Sequence, residues 1–168
     1  METIVNKVAE SGIITLDLSG YLPDRATLAD FDLKPFLFRE MILREKDYRG
    51  ALQGFDFSAF TNKHVALYCS VDAIIPVWAY MLATIYLEPV AASVYFGTVD
   101  ELYNSLTVAS INKIDPSEYA DKRVVLKGCG EIAVPEIAYV TATARIRPVV
   151  KSLMYGEPCS TVPVYKKK

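Results

Sequence analysis

The sequence predicts an α/β fold: one three-layer domain over residues 1–168, with a mostly parallel sheet built from two duplicated βαβ units. Three observations carry that expectation. A chain of 168 residues is close to the ~150 residues of a single domain. Sliding the sequence against itself by 59 positions lays residues 55–97 on residues 114–156 without a gap, and fourteen of the 43 aligned pairs are identical. Each copy also reads as a β-branched run, a stretch bracketed by prolines, and a second β-rich run. Two copies are too few for a solenoid, so the duplication is expected to lie inside one domain.

Taken along the chain, the first strand is expected at Ile13–Leu18 and a helix over Phe36–Leu52. His64–Tyr68 and its repeat mate Arg123–Lys127 are β-branched and bounded by turn residues, so both read as strands. Pro76 and Pro135 follow, each with a second proline, Pro89 or Pro148, 13 residues later. Proline suits the first helical turn and cannot extend a helix, so each pair brackets a helix of about three and a half turns. Glu136 near the start of the second bracket, with Arg145 and Arg147 near its end, matches the helix dipole. Ala92–Phe96 and Lys151–Tyr155 close the two units as strands, and crossovers longer than about ten residues make the strands of each unit parallel. A further helix is expected at Val99–Ala109.

The first bracketed helix carries Trp78, Tyr80, Met81, Leu82, Ile85 and Tyr86 on nearly every side, whereas its mate keeps Glu136, Thr141, Thr143 and Arg145. A helix so apolar has to be covered on two sides, by the Phe36–Leu52 region, by a second subunit, or by both. A homodimer is expected on that ground.

Lys and Arg number 18, Asp and Glu 20, for a net charge of −2, which supplies no basic field for nucleic acid or an anionic membrane. The longest uncharged run, 15 residues between Asp72 and Glu88, is broken by Pro76 and falls short of the ~20 residues of a membrane span. Charges at Glu2, Lys7 and Glu10 stand where a signal peptide needs an apolar stretch, so a cytoplasmic location is expected. Three widely spaced cysteines make a disulfide framework an unfavourable reading. Neither a GxGxxG nor a GxxxxGK[ST] fingerprint occurs. His64, the one histidine, aligns with Arg123 at the amino end of a strand and makes a poor triad member.

If the two copies pack about a pseudo-two-fold axis, Val65–Leu67 lies beside Val124–Leu126 and creates a switch point, where open parallel sheets bind ligands beyond their carboxyl ends. Cys69, Cys129 and Cys159 each fall at or just past the carboxyl end of an expected strand, on one edge of the sheet. Loops from neighbouring strands can bring thiolates within bonding distance of zinc or iron, with Asp72, Glu131 or Glu157 as an additional ligand. Three alternatives stand beside this one. The cysteines are small core residues, or they are thiolates activated by the helices that follow them, and Asp72 and Glu131 cap those helices. Lys166, Lys167 and Lys168 read as a solvated tail.

At CSVDAIIPVWAYML, KGCGEIAVPEIAYV and GEPCSTVPVYK, and from IVNKVAESGIITLDL to the carboxyl terminus, the sequence resembles the bacterial family DUF2480, whose function is unknown. The resemblance implies a link to iron–sulfur cluster assembly and its proteins as partners. Three readings of function follow: a cytoplasmic metal- or sulfur-handling accessory protein using zinc or iron at the cysteines, a non-catalytic dimeric assembly protein whose cysteines pack in the core, and a small-molecule enzyme at the switch-point crevice.

Overall fold

Short apolar and β-branched runs form six strands that pair in parallel. The structure, a computed structural model, describes residues 12–128, 130–157 and 160–168, without the side chain of Glu157. In chain order the strands and helices are β1 (Ile13–Asp17), β2 (Leu28–Asp32), α1 (Glu45–Gln53), β3 (His64–Tyr68), α2 (Val77–Leu87) and β4 (Ser93–Phe96). There follow α3 (Val99–Ile111), β5 (Arg123–Lys127), α4 (Glu136–Ile146), β6 (Ser152–Glu157) and β7 (Ser160–Lys166). The chain is α/β with mostly parallel strands, and both βαβ units form where the repeat places them. No helix among the described residues is long and apolar enough to cross a membrane.

Each repeat copy builds its own sheet. The chain divides into two compact units, Pro23–Tyr103 on one hand and Met1–Leu22 with Asn104–Lys168 on the other. In the first-copy unit the order is β2-β3-β4, all parallel. In the second-copy unit it is β1-β5-β6-β7, parallel except for β7, which runs antiparallel to β6. The expected pairing of Val65–Leu67 with Val124–Leu126 is therefore not made, and the switch point that rested on it disappears. The physical reason is that each copy recruits its own leading strand. β2 pairs with β3 from Leu28↔His64 to Asp32↔Tyr68, and β1 pairs with β5 from Ile13↔Arg123 to Asp17↔Lys127, in the same relative register.

Within each unit one helix lies on the sheet through a row of small residues. Ala79, Ala83 and Leu87 of α2 are fully buried against Val65, Leu67 and Phe31. The repeat mates Ala138, Ala142 and Ile146 of α4 are buried with Val124, Leu126 and Leu153. Spacing by four residues puts each row on one helical face, and alanine lets the backbone approach the strands closely. The first-copy core is rich in phenylalanine: Phe31 meets Phe36, Phe55, Phe57 and Phe60 with ring centroids 5.4–5.8 Å apart. Helix α1 covers one side of α2, as expected for the Phe36–Leu52 region, and the Tyr48 hydroxyl donates to the Ala79 carbonyl at 2.8 Å.

The identical pairs of the repeat mark shared turns as well as shared core. Asp56 and Asp115 each accept a backbone N–H, from Ser58 and Ser117 at 2.9 Å, and so cap equivalent 3₁₀ turns. Asn62 and Asp121 occupy the left-handed region at φ 59° and 55°, and their N–H groups donate to Val90 and Val149 at 2.9 and 2.8 Å.

Three expectations are corrected. The helix in Phe36–Leu52 spans only Glu45–Gln53, because the chain turns back between Phe38 and Ile42, with Arg39 and Glu40 at positive φ. Asp72 and Glu131 are not the caps of α2 and α4: the residues ahead of these helices are Pro76 and Pro135, with no side-chain cap. Lys166 is the last residue of β7, and Lys167 bonds back to the Lys151 carbonyl at 2.9 Å and to Asp121 at 3.0 Å, so this part of the tail is folded.

Because the alanine row fixes the distance between helix and sheet, Ala83→Leu is expected to destabilise the fold by about 1–3 kcal/mol through overpacking. The measurement is urea unfolding followed by circular dichroism, and a variant as stable as the parent would show that the contact has slack.

Candidate functional site

Side chains that could do chemistry gather at the carboxyl ends of the strands in the first-copy unit, and most of them hold turns. Asp32, at the end of β2, accepts from the N–H groups of Lys34 and Ser70 at 2.9 Å and from the Ser70 hydroxyl at 2.5 Å. It ties β2 to the loop that follows β3. Burial pushes the Asp32 carboxyl up, but the Ser70 hydroxyl, the two backbone N–H groups and the Lys34 charge outweigh it and hold the group below its usual value. Tyr68 and Tyr80 are shifted upward, chiefly by burial, with nearby Asp30 and Asp32 adding to the first and Cys69 and Asp32 to the second.

Cys69 is half-buried and packs against the first-copy core, with its thiol directed to the Val71 carbonyl at 3.5 Å. Its repeat mate is Gly128, where an added Cβ would collide with the Tyr139 hydroxyl and ring. The cysteine thus stands where the other copy has to leave space. Asp72 is exposed on the loop that follows Cys69, and Glu131 is exposed in the other unit. Cys129, Cys159 and the side chain of Glu157 lie outside the described residues. Among the described residues no three His, Cys, Asp or Glu side chains come together to hold a metal ion. His64 is half-buried rather than free, its Nδ1 lying 2.7 Å from the Ser93 hydroxyl at the amino ends of β3 and β4.

The prominent surface feature of this unit is apolar. Val77, Met81 and Ile85 follow one another along α2 at four-residue spacing, and they are 75, 64 and 69 % exposed. Phe96 on β4 is 69 % exposed and meets Tyr80 edge-on at 5.0 Å. Between helix and strand these residues border a groove of about 690 Å³, floored by Leu67 and Val94. The residues named at the sequence level for an uncovered helix divide by face: Trp78, Tyr80, Leu82 and Tyr86 lie against the core, whereas Met81 and Ile85 are exposed, together with Val77, which the sequence reading did not name.

The second copy shows what became of the same surface there. Val77, Met81 and Ile85 are replaced by Glu136, Val140 and Ala144, which removes bulk and adds a charge. Beside them Tyr139 and Tyr155 repeat the edge-on pair at 5.5 Å. Beyond β6 lies β7, whose Tyr165 stands opposite Leu153 and carries the Arg147 guanidinium 4.9 Å from its ring centre.

The divergence of the copies is particular to a whole-length sequence pattern. The model of the family of proteins of unknown function DUF2480 matches residues 2–167. The chain belongs to the DUF2480 family. No curated protein and no solved structure gives a match. What DUF2480 membership adds is that both repeat copies, with their open and covered edges, fall inside one family unit.

Removing the Asp32 clamp with Asp32→Ala is expected to cost about 1–3 kcal/mol at neutral pH. Because the folded carboxyl titrates below the ordinary 3.8, its contribution is complete above that value and is lost as the pH falls through the lower folded value. The stability gap between parent and variant, read from urea melts, should be constant from about pH 7 to pH 5 and should narrow as the pH falls below 3.8. A gap that persists undiminished at about pH 2 would rule out the clamp as a charged acceptor.

Proposed function

We propose that this protein is a cytoplasmic, homodimeric assembly module that works by non-covalent association through the α2 face. The observation that carries the reading is the uncharged, exposed row Val77, Met81 and Ile85 beside Phe96, on a helix without a single charged residue from Val77 to Leu87. A surface of this kind is costly in water and stabilising once covered, at about 25 cal/mol per Å². Its repeat mate, under the same packing constraints, carries Glu136 and Arg145. Packing therefore does not require the apolar row, and contact with another molecule accounts for it. The half-buried Cys69 fits this reading as a core residue.

The row makes Met81→Glu a direct test, since the side chain is largely exposed and its replacement should leave the fold intact. The parent should scatter light as a dimer at about micromolar concentration, while the variant should be monomeric and still unfold in one cooperative transition, with a midpoint that, unlike the parent's, does not depend on protein concentration. A parent that is monomeric at that concentration would overturn the proposal.

The metal- or sulfur-handling reading, with iron–sulfur assembly proteins as partners, rests on the cysteine positions in the sequence and has its own test. Protein purified anaerobically without a histidine tag would carry about one zinc or iron per chain and lose it on Cys129→Ser. Protein free of metal by elemental analysis, with all three thiols alkylated only after unfolding, would remove that reading.

A further inference from the structure

The four outer strands of the two sheets are not alike. β1 carries Asp17, β2 carries Asp30 and Asp32, and β7 carries Pro163 and Lys166 and meets β6 through a register shift at Leu153/Met154. Charges, prolines and bulges of this kind are what keep exposed strand edges from pairing with another chain. β4, with the sequence SVYF, has none of them. The repeat mate of β4 is β6, and its outer edge is occupied by antiparallel β7. The two copies part at equivalent glycines. After Gly156 the chain returns as β7, whereas after Gly97 it enters α3 through a capping box, in which the Glu101 carboxylate accepts from the Thr98 N–H at 2.7 Å and the Thr98 hydroxyl accepts from the Glu101 N–H at 3.3 Å. The first copy thus has a β4 edge made like an inner strand, and no strand beyond it among the described residues.

We infer that β4 pairs antiparallel with β4 of a second copy about a two-fold axis, joining two three-stranded sheets into one of six strands. This rests on the homodimer proposed above and specifies how the copies meet. Backbone geometry sets the register. The Gly97 N–H donates to the Leu67 carbonyl at 3.0 Å, so by strand alternation the N–H and C=O of Tyr95 point towards β3 and those of Val94 and Phe96 point outward. Pairing centred on Tyr95 then sets Val94 opposite Phe96 of the second copy, each exchanging both backbone hydrogen bonds, with all four of these side chains on the α2 side.

The helices meet in the same arrangement. With strands ~4.8 Å apart and α2 seated over β3 and β4, the two α2 axes stand about 10–14 Å from each other, against a helix diameter of ~10–12 Å with side chains. The rows Val77, Met81 and Ile85 face one another across that gap. The three exposed side chains of the row, with Phe96, offer on the order of 500 Å² per copy, so the pair reaches about 1,000 Å² if all of it is covered, the lower bound of a specific interface, before the strands are counted. No charge in either row opposes self-association. A second copy is thus the occupant that suits strand and helix together.

Two measurements test the pairing. Residues opposed without mutual hydrogen bonds lie about 4.5 Å apart at Cα, within disulfide range, so Tyr95→Cys should form a covalent dimer linked at position 95 on mild oxidation, while Asp30→Cys on the far edge should not. In hydrogen exchange, the Val94 and Phe96 amides of the parent should exchange at least about 100-fold more slowly than in Met81→Glu. A dimer by light scattering with fast Val94 and Phe96 amides and no link at position 95 overturns the strand pairing and leaves the homodimer standing. A monomer with fast amides overturns both. Slow amides in a monomer mean that the same chain covers the edge, which also overturns the pairing.

Discussion

Each unit depends on one contact, a helix laid on parallel strands through two alanines a turn apart. Ala79 and Ala83 in one unit, and Ala138 and Ala142 in the other, are completely buried. Close approach brings Leu87 and Ile146 into the core and orients the rest of each helix by its 100° rotation per residue. With the alanine row turned inward, positions 77, 81 and 85, or 136, 140 and 144, turn outward whatever their chemistry. The exposure of Val77, Met81 and Ile85 follows from the packing of the alanines. Their apolar character does not, and that separation is what makes the outward row informative.

Much of this fold is legible in the sequence because the repeat doubles every signal. Two copies of a β-branched run locate β3 and β5 at their observed bounds, and the paired prolines bracket α2 and α4 to the residue that follows each first proline. The first strand was read at Ile13–Leu18, whereas β2 and β7 were harder to read. β2, LADFD, carries two aspartates, which strands disfavour, and β7 contains Pro163. Both lie at sheet edges, where such residues are tolerated because one side of the strand faces no partner. The relation between β1 and β2 is equally hidden. Asp17-Leu18 and Asp32-Leu33 are structural mates, both leucines fully buried, but they stand 15 positions apart, whereas the recognised repeat is offset by 59. Each copy's first strand precedes the rest of the pattern at its own distance, so no single alignment without gaps contains it, and the inference that the central strands touch had nothing to oppose it.

The candidate site was legible in part for a similar reason. Cysteine positions at strand ends were correctly placed along the chain at Cys69, but an edge shared by all three presupposed one sheet, and Cys69 belongs to a three-stranded sheet of its own unit. The apolar α2 helix was readable from composition, and the division of its residues between core and surface was not. Trp78, Tyr80, Leu82 and Tyr86 are larger than Val77 and would be expected to anchor exposed contacts, yet they pack against the core, with Trp78 beside Tyr48, Tyr86 on Phe57 and Tyr80 edge-on to Phe96. Which face of an all-apolar helix turns outward is decided by the smallest residues, because they alone permit contact with the sheet.

Duplication supplies an internal control that a single copy would lack. An exposed apolar row on an isolated βαβ unit is ambiguous, since it could be a by-product of packing the opposite face. Here the same backbone, held by the same alanines, the same Tyr-aromatic edge contact and the same positive-φ glycine, Gly97 or Gly156, carries Glu136 and Ala144 in place of Val77 and Ile85 and has its strand edge closed by β7. The difference therefore lies in the side chains and strand edge that each surface presents, on a shared backbone. One copy completes its sheet with its own chain and ends in an edge guarded by proline and lysine. The other enters α3 at Thr98 and leaves an unguarded edge beside the apolar row. Strand edge and helix row are separated in sequence, and both depart from the second copy in the direction that association requires, so the proposed second copy would account for two differences that packing within the unit leaves unexplained.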